Sequence, residues 1–177
     1  LVACSSLTKL ELEVAVGRAA GQEQGDEQDD DEADVVEMCA QLAGLKNLQE
    51  LSLADSCLVP SDALALTALT GLTKFNLGNV RAGVGDVAAK AIASSFQQLR
   101  HLVFSICDLG RMVCLAVVRR LTQLTELQLE GNSGLTQQGL MLLTGLTRLQ
   151  HLGVTRNSKV TDQVVQRFWA ALRQQQL

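Results

Sequence analysis

The pattern Leu-x-x-Leu-x-Leu occurs six times, with conservative apolar swaps, and no other feature of the 177-residue chain constrains its fold as tightly. The copies are Leu7-Leu10-Leu12, Leu48-Leu51-Leu53, Leu72-Phe75-Leu77, Leu99-Leu102-Phe104, Leu124-Leu127-Leu129 and Leu149-Leu152-Val154. Their middle residues are separated by steps of 41, 24, 27, 25 and 25. A fixed period of this size marks an array of stacked supersecondary units. The one long step contains a tract, Gly21 to Asp34, with eight carboxylates and almost no apolar side chain. Such a segment cannot offset the entropy of ordering, so a mobile acidic insertion is expected at about 19–34. One insertion in a regular array explains both the step and the tract.

Each unit reads as a short strand followed by a helix. Alternate residues of the Leu-x-Leu step turn inward, because side chains on a strand alternate between its faces. Helical patterns follow over Asp34–Leu45, Ser61–Leu69, Gly85–Phe96, Leu109–Leu121, Thr136–Leu143 and Thr161–Arg173. Ser61, Thr136 and Thr161 are expected as N-caps, since a short hydroxyl side chain can accept an exposed backbone N–H there. Pro60 is expected just outside its helix, where its missing N–H does no harm. Neither element can bury its apolar face alone. Stacking gives one continuous core, with the strands in a parallel sheet and the helices outside.

Two copies extend further, as Leu124-x-x-Leu127-x-Leu129-x-x-Asn132 and Leu149-x-x-Leu152-x-Val154-x-x-Asn157, and Cys107 holds the same ninth position in its copy. With these residues the chain resembles the leucine-rich repeat family. The resemblance implies that the ninth side chain turns inward and hydrogen-bonds backbone in the turn. It also implies less regular turns at Ala15, Ser56 and Val80, which depart from Asn or Cys. The segments Gly134 to Leu143 and Lys159 to Val165 resemble the helical repeats of ribonuclease-inhibitor-like proteins and F-box receptors, although no F-box segment is present. The expected fold is an α/β leucine-rich repeat solenoid. It is a curved horseshoe of about six repeats, with a parallel concave sheet and helices on the convex side, forming a single domain over 1–177.

Charge is unevenly placed. The net charge is −4, but residues 1–88 carry 5 basic and 15 acidic side chains, whereas 89–177 carry 10 and 4. A general nucleic-acid binder is disfavoured by the total. The basic half, which includes Arg111, Arg119, Arg120, Arg148, Arg156, Lys159, Arg167 and Arg173, leaves docking on an acidic surface open. Base reading needs exposed aromatics. Phe75, Phe96 and Phe104 fall in core phase, leaving only Phe168 and Trp169, so sequence-specific nucleic-acid recognition is not expected.

Other motifs are better explained by the repeat. Gly83-Val-Gly85-Asp-Val-Ala88, with Asp108 about 20 residues on, formally matches a dinucleotide fingerprint. Its glycines fall at a turn into a helix, with no doubly wound sheet around them. Leu1-Val-Ala-Cys4 has the form of a lipidation box without the upstream apolar helix. From Asp26 to Glu37 the acids fall near calcium-loop positions, but Asp31 stands where that loop needs Gly. Five cysteines, with no pair at metal-ligand spacing, read as free, mostly buried thiols in a reducing, intracellular and cytoplasmic setting. No run reaches the ~18 apolar residues of a membrane span. The chain opens directly in apolar sequence, so preceding residues or a partner are expected to cover the first repeat. A C-terminal cap is expected from Arg167 to Leu177, with Trp169 and Leu172 inward.

Strand phase places three columns on the outward face of the sheet. They are Lys9-Glu50-Lys74-His101-Glu126-His151, Glu11-Ser52-Asn76-Val103-Gln128-Gly153 and Glu13-Ala54-Gly78-Ser105-Glu130-Thr155. Two strand spacings separate His101 from His151 by about 10 Å, which favours a hydrogen-bond ladder through Glu126 over a shared zinc ion. No serine or cysteine stands beside either histidine with a third orienting group, so no catalytic residue, cofactor or metal ligand is assigned. The expected function is non-catalytic protein–protein interaction, as scaffold or adaptor. The contact is centred on Lys74, Asn76, His101, Glu126, Gln128, Glu130 and His151. Two alternatives stand beside it. One is a structural subunit of a large protein or ribonucleoprotein assembly that makes contact through helices and the acidic arm. The other, implied only by the resemblance, is the substrate-recognition part of an F-box-type ubiquitin-ligase receptor.

Overall fold

The computed structural model describes residues 6–12, 39–56, 58, 60–79, 84–107 and 109–176. The acidic tract lies outside these residues, as do Cys4, Glu13, Ala15, Cys57, Val80, Gly83 and Asp108 and the expectations attached to them. The elements alternate as the period requires: β1 (Lys9–Glu11), β2 (Glu50–Ser52), α1 (Pro60–Ala65), β3 (Lys74–Asn76), α2 (Gly85–Ser95), β4 (His101–Val103), α3 (Arg111–Arg120), β5 (Glu126–Gln128), α4 (Gln137–Leu142), β6 (His151–Gly153) and α5 (Asp162–Gln175). Residues 39–42 are also helical. The strands form one parallel sheet in the order of the sequence. No helix among the described residues is long and apolar enough to cross a membrane.

Strand register follows the repeat. Lys9, Glu50, Lys74, His101, Glu126 and His151 are successive cross-strand partners, and so are Leu10, Leu51, Phe75, Leu102, Leu127 and Leu152. One hydrogen-bond motif recurs at each strand entry. The Thr73 carbonyl accepts from Arg100 N at 2.8 Å and His101 N at 3.1 Å, and the Arg100 carbonyl accepts from Thr125 N and Glu126 N in the same way. Leu51, Phe75, Leu102 and Leu127 are buried beneath this sheet. The ring of Phe75 meets that of Phe96 edge-on, with centroids 5.2 Å apart. Such a pair adds about 1 kcal/mol to the area it buries.

The helices bury equivalent faces. Ala88, Ala89, Ile92 and Ala93 are inside on α2, Val113, Cys114 and Val117 on α3, and Val164, Val165, Phe168 and Leu172 on α5. The shared spacings i, i+1 and i+4, extended to i+5 in α2 and i+8 in α5, bring these residues to one stripe of a 3.6-residue helix. α1 and α4 each span six residues and continue into 3-10 turns, Leu66–Ala68 and Leu143–Gly145.

Helix starts only partly match expectation. Thr136 accepts from Gly139 N at 3.2 Å and Thr161 from Val164 N at 3.4 Å, so both are N-caps. Ser61 is not, because α1 already begins at Pro60. Pro60 itself is inside the helix rather than outside it. The first helical position suits proline equally well, since its N–H would have no intrahelical acceptor and its φ is preset.

The ninth position binds neighbouring units together. Asn132 Oδ1 accepts from Cys107 N at 3.1 Å and Leu109 N at 3.0 Å, while its Nδ2 donates to the Phe104 and Leu129 carbonyls. Cys107 Sγ donates to the Leu77 carbonyl at 2.9 Å. Asn157 Oδ1 accepts from Lys159 N and Val160 N in its own turn. Ser56 is fully buried and its Oγ donates to the Leu53 carbonyl at 2.6 Å, so it keeps one bond of the kind Asn132 makes.

In α5, Phe168 is fully buried and Trp169 half-buried, their rings edge-on at 5.1 Å. Phe168 is therefore a core residue and offers no stacking platform, contrary to its place among the available aromatics.

Candidate functional site

The outward column closest to the strand entries is a ladder of charge. Glu50 lies between two lysines, with Lys74 Nζ at 2.8 Å and Lys9 Nζ at 3.9 Å. The hydrogen bond from Lys74 and the charges of both lysines hold its carboxyl below the usual glutamate range. One repeat beyond Lys74, His101 Nδ1 and Glu126 Oε2 are 3.0 Å apart, and Gln128 Nε2 donates to Glu126 Oε1 at 3.0 Å. The bonds from Gln128 and His101 lower the Glu126 carboxyl as well, against a smaller opposing effect of burial. Of the ladder expected through Glu126 between the two histidines, the His101 half is present, and no hydrogen bond joins His151 to Glu126. His151 lies one strand further on, exposed.

A shallow cavity of about 450 Å³ opens on this face. Lys74, Asn76, His101 and Glu126 line it, together with Lys9 and Glu50. Gln128, Glu130 and His151 do not. For Gln128 and Glu130 the reason is Gly153. A β-carbon there would lie 1.7 Å from Gln128 Oε1 and 2.0 Å from Glu130 Oε1, so these two side chains fill the space left above β6. Glu130 Oε2 is tied in turn to Ser105 Oγ at 3.1 Å. Hence four of the seven expected contact residues line an open concavity over β1–β5, Gln128 and Glu130 form a polar lid over β5–β6, and His151 belongs to neither. Lys9 and Glu50 belong to the same column, and the alternation of charge from Lys9 through Glu50 to Lys74 was the signal for them in the sequence.

The cavity floor offers few reactive groups. Asn76 Oδ1 accepts from Gly78 N at 2.9 Å, which fixes the amide in place. The described cysteines are all buried away from this face. Burial pushes the Cys39 and Cys114 thiols up to about 12, with Asp62 and Asp86 adding to the effect, so neither is a nucleophile near neutral pH. Among the described residues, no three His, Cys, Asp or Glu side chains gather around a point that could hold a metal ion.

No family model and no curated protein sequence matches the chain. Solved structures do. The tropomodulin C-terminal domain of Caenorhabditis elegans superposes with a TM-score of 0.50 over 96% of this chain and 84% of its own, at 13% identity. The fold is an α/β leucine-rich repeat solenoid. Two further likenesses are looser. Leiomodin-1 actin-binding site 2 gives a TM-score of 0.46 at 15% identity, over 98% of this chain and 84% of its own. An internalin of Listeria monocytogenes gives 0.42 at 20%, over 66% of this chain and 39% of its own. In this leucine-rich repeat solenoid, the candidate site is the concave side of the sheet.

Proposed function

We propose that the chain is a non-catalytic protein-interaction module that receives its partner on the concave face, in the manner of a scaffold or adaptor. One observation carries the reading: a six-strand register that sets Lys9, Glu50, Lys74, His101 and Glu126 in line along a 450 Å³ concavity. The strands hold these groups at fixed spacing, so little conformational entropy is lost when a partner docks. Paired charges and amides give specificity through complementary hydrogen bonds, and the scarcity of aromatic anchors makes a large or moderate-affinity interface the natural outcome. Burial of the described thiols, with Cys39 and Cys114 raised to about 12, removes them as nucleophiles near neutral pH and supports a role without catalysis. The likeness to the tropomodulin C-terminal domain supports the solenoid alone, and what the structural neighbours bind is their own property.

The test begins with capture of a partner by the full chain, followed by affinity measurements with that purified partner. Glu126→Ala and His101→Ala should each weaken binding roughly tenfold while the protein stays folded. Lys90→Ser, on α2, should leave it unchanged. Loss in the Lys90 variant with binding intact in the first two would move the interface to the convex side.

A further inference from the structure

A second surface is defined by where charge is missing. The turns that enter the strands and the ends of the helices share one edge of the solenoid. Lys46, Arg100 and Arg148 stand on the turns before β2, β4 and β6, and Arg119, Arg120 and Arg173 in the last turns of α3 and α5. All six side chains are exposed. The described carboxylates lie elsewhere. Glu11, Glu50 and Glu126 are on the concave face, Asp55 and Glu130 in turns leaving strands, and Asp62, Asp86 and Asp162 in the first turns of helices. No ion pair among the described residues involves this edge.

Helix dipoles explain only part of the arrangement. A cation in the last turn of a helix gains about 0.3–1 kcal/mol from the carbonyl end, which accounts for Arg119, Arg120 and Arg173. Lys46 Nζ likewise reaches the Ala68 carbonyl at 3.4 Å. Arg100 and Arg148 terminate no helix. Arg148 leans on the neutral side chain of Gln123, and Arg100 on no side chain among the described residues. Their turns precede alternate strands, so successive cations from Lys46 to Arg148 are about 10 Å apart along the edge.

We propose that this strand-entry edge is a docking surface for a strongly acidic protein segment, separate from the concave face. Five of the six cations are arginines, whose planar fork pairs bidentately with carboxylates. Between them stand Gln97, Gln98, Thr122 and Gln123, which can donate further hydrogen bonds, and no exposed aromatic ring is available to stack a nucleobase. Carboxylate is the anion this chemistry fits without leaving half of a nucleic acid unrecognised.

The experiment measures fluorescence anisotropy of a labelled oligoglutamate peptide against the full chain at low salt. Wild type should bind, and binding should weaken steeply as salt rises, since exposed charges are screened within roughly 10 Å at 0.1 M. Arg100→Glu with Arg148→Glu should lose roughly tenfold or more in affinity. Lys159→Glu with Arg167→Glu, the same charge change on the opposite edge, should stay within about twofold. Arg100→Gln with Arg148→Gln, which introduces no new charge, should show an intermediate loss and guards against misfolding of the first variant. Equal losses for the two edges, or no binding by wild type, would overturn the proposal. So would tighter binding of a duplex oligonucleotide of matched charge, which would assign the edge to nucleic acid.

Discussion

Asn132 shows how much one side chain contributes in a stacked fold. It satisfies two N–H groups and two carbonyls, three of these partners belonging to the preceding repeat or the turn after it. Asn132→Ala leaves several buried backbone groups unpaired, so stability should fall by about 3 kcal/mol in urea denaturation. Asn157→Ala loses only bonds to Lys159 N and Val160 N in its own turn and should cost about 1 kcal/mol. Glu126 gives the pH counterpart. Its carboxyl titrates lower in the folded chain than its ordinary value of 4.5, so the native state favours the ionised form. Its contribution is therefore complete above that ordinary value and is lost as pH falls through the lower native one. Chemical denaturation of wild type against Glu126→Gln across this window should show the wild-type advantage vanish on acidification. An advantage that grows on acidification would contradict the assignment. The identities of Asn132 and Glu126 were legible from repeat position and strand phase. Gln128 and Glu130 were placed on the right face but not in their observed pose, because what folds them down is the missing β-carbon of Gly153, one strand away.

At the scale of elements, period and register were readable because both faces of the pattern are constrained. A one-residue slip of any strand would bury its outward polar column and expose its leucines. Helix boundaries were less so. Pro60 fits on either side of a helix start, and α3 begins at Arg111, two residues after the expected Leu109, whereas α2 begins at the expected Gly85. Phe168 was misplaced for a related reason. Arg167, Phe168 and Trp169 are consecutive, and only the i, i+4 relation to Val164 and Leu172 shows which one faces the core. The two threonine caps give a direct check. Thr136→Ala and Thr161→Ala should each cost about 1 kcal/mol, read from thermal unfolding, whereas Ser61→Ala, inside α1 and exposed, should cost less than half as much.

For the whole molecule, we propose one domain to which the acidic segment is an accessory. Loop length costs little stability, so replacing Gln22 to Ala33 with a short Gly-Ser linker should leave the unfolding midpoint nearly unchanged while altering salt-sensitive binding. The partner's identity was never legible. Columns of exposed side chains show what a surface offers, while recognition depends on a complementary surface that the sequence does not encode. The most direct test of the central claim is lysine footprinting: acetylation rates of individual lysines with and without the captured partner. Lys9 and Lys74, on the concave ladder, should be strongly protected in the complex, while Lys90 on α2 and Lys159 beyond β6 keep their free rates. Protection of Lys90 with Lys9 and Lys74 unchanged would contradict the account and place the partner on the helices.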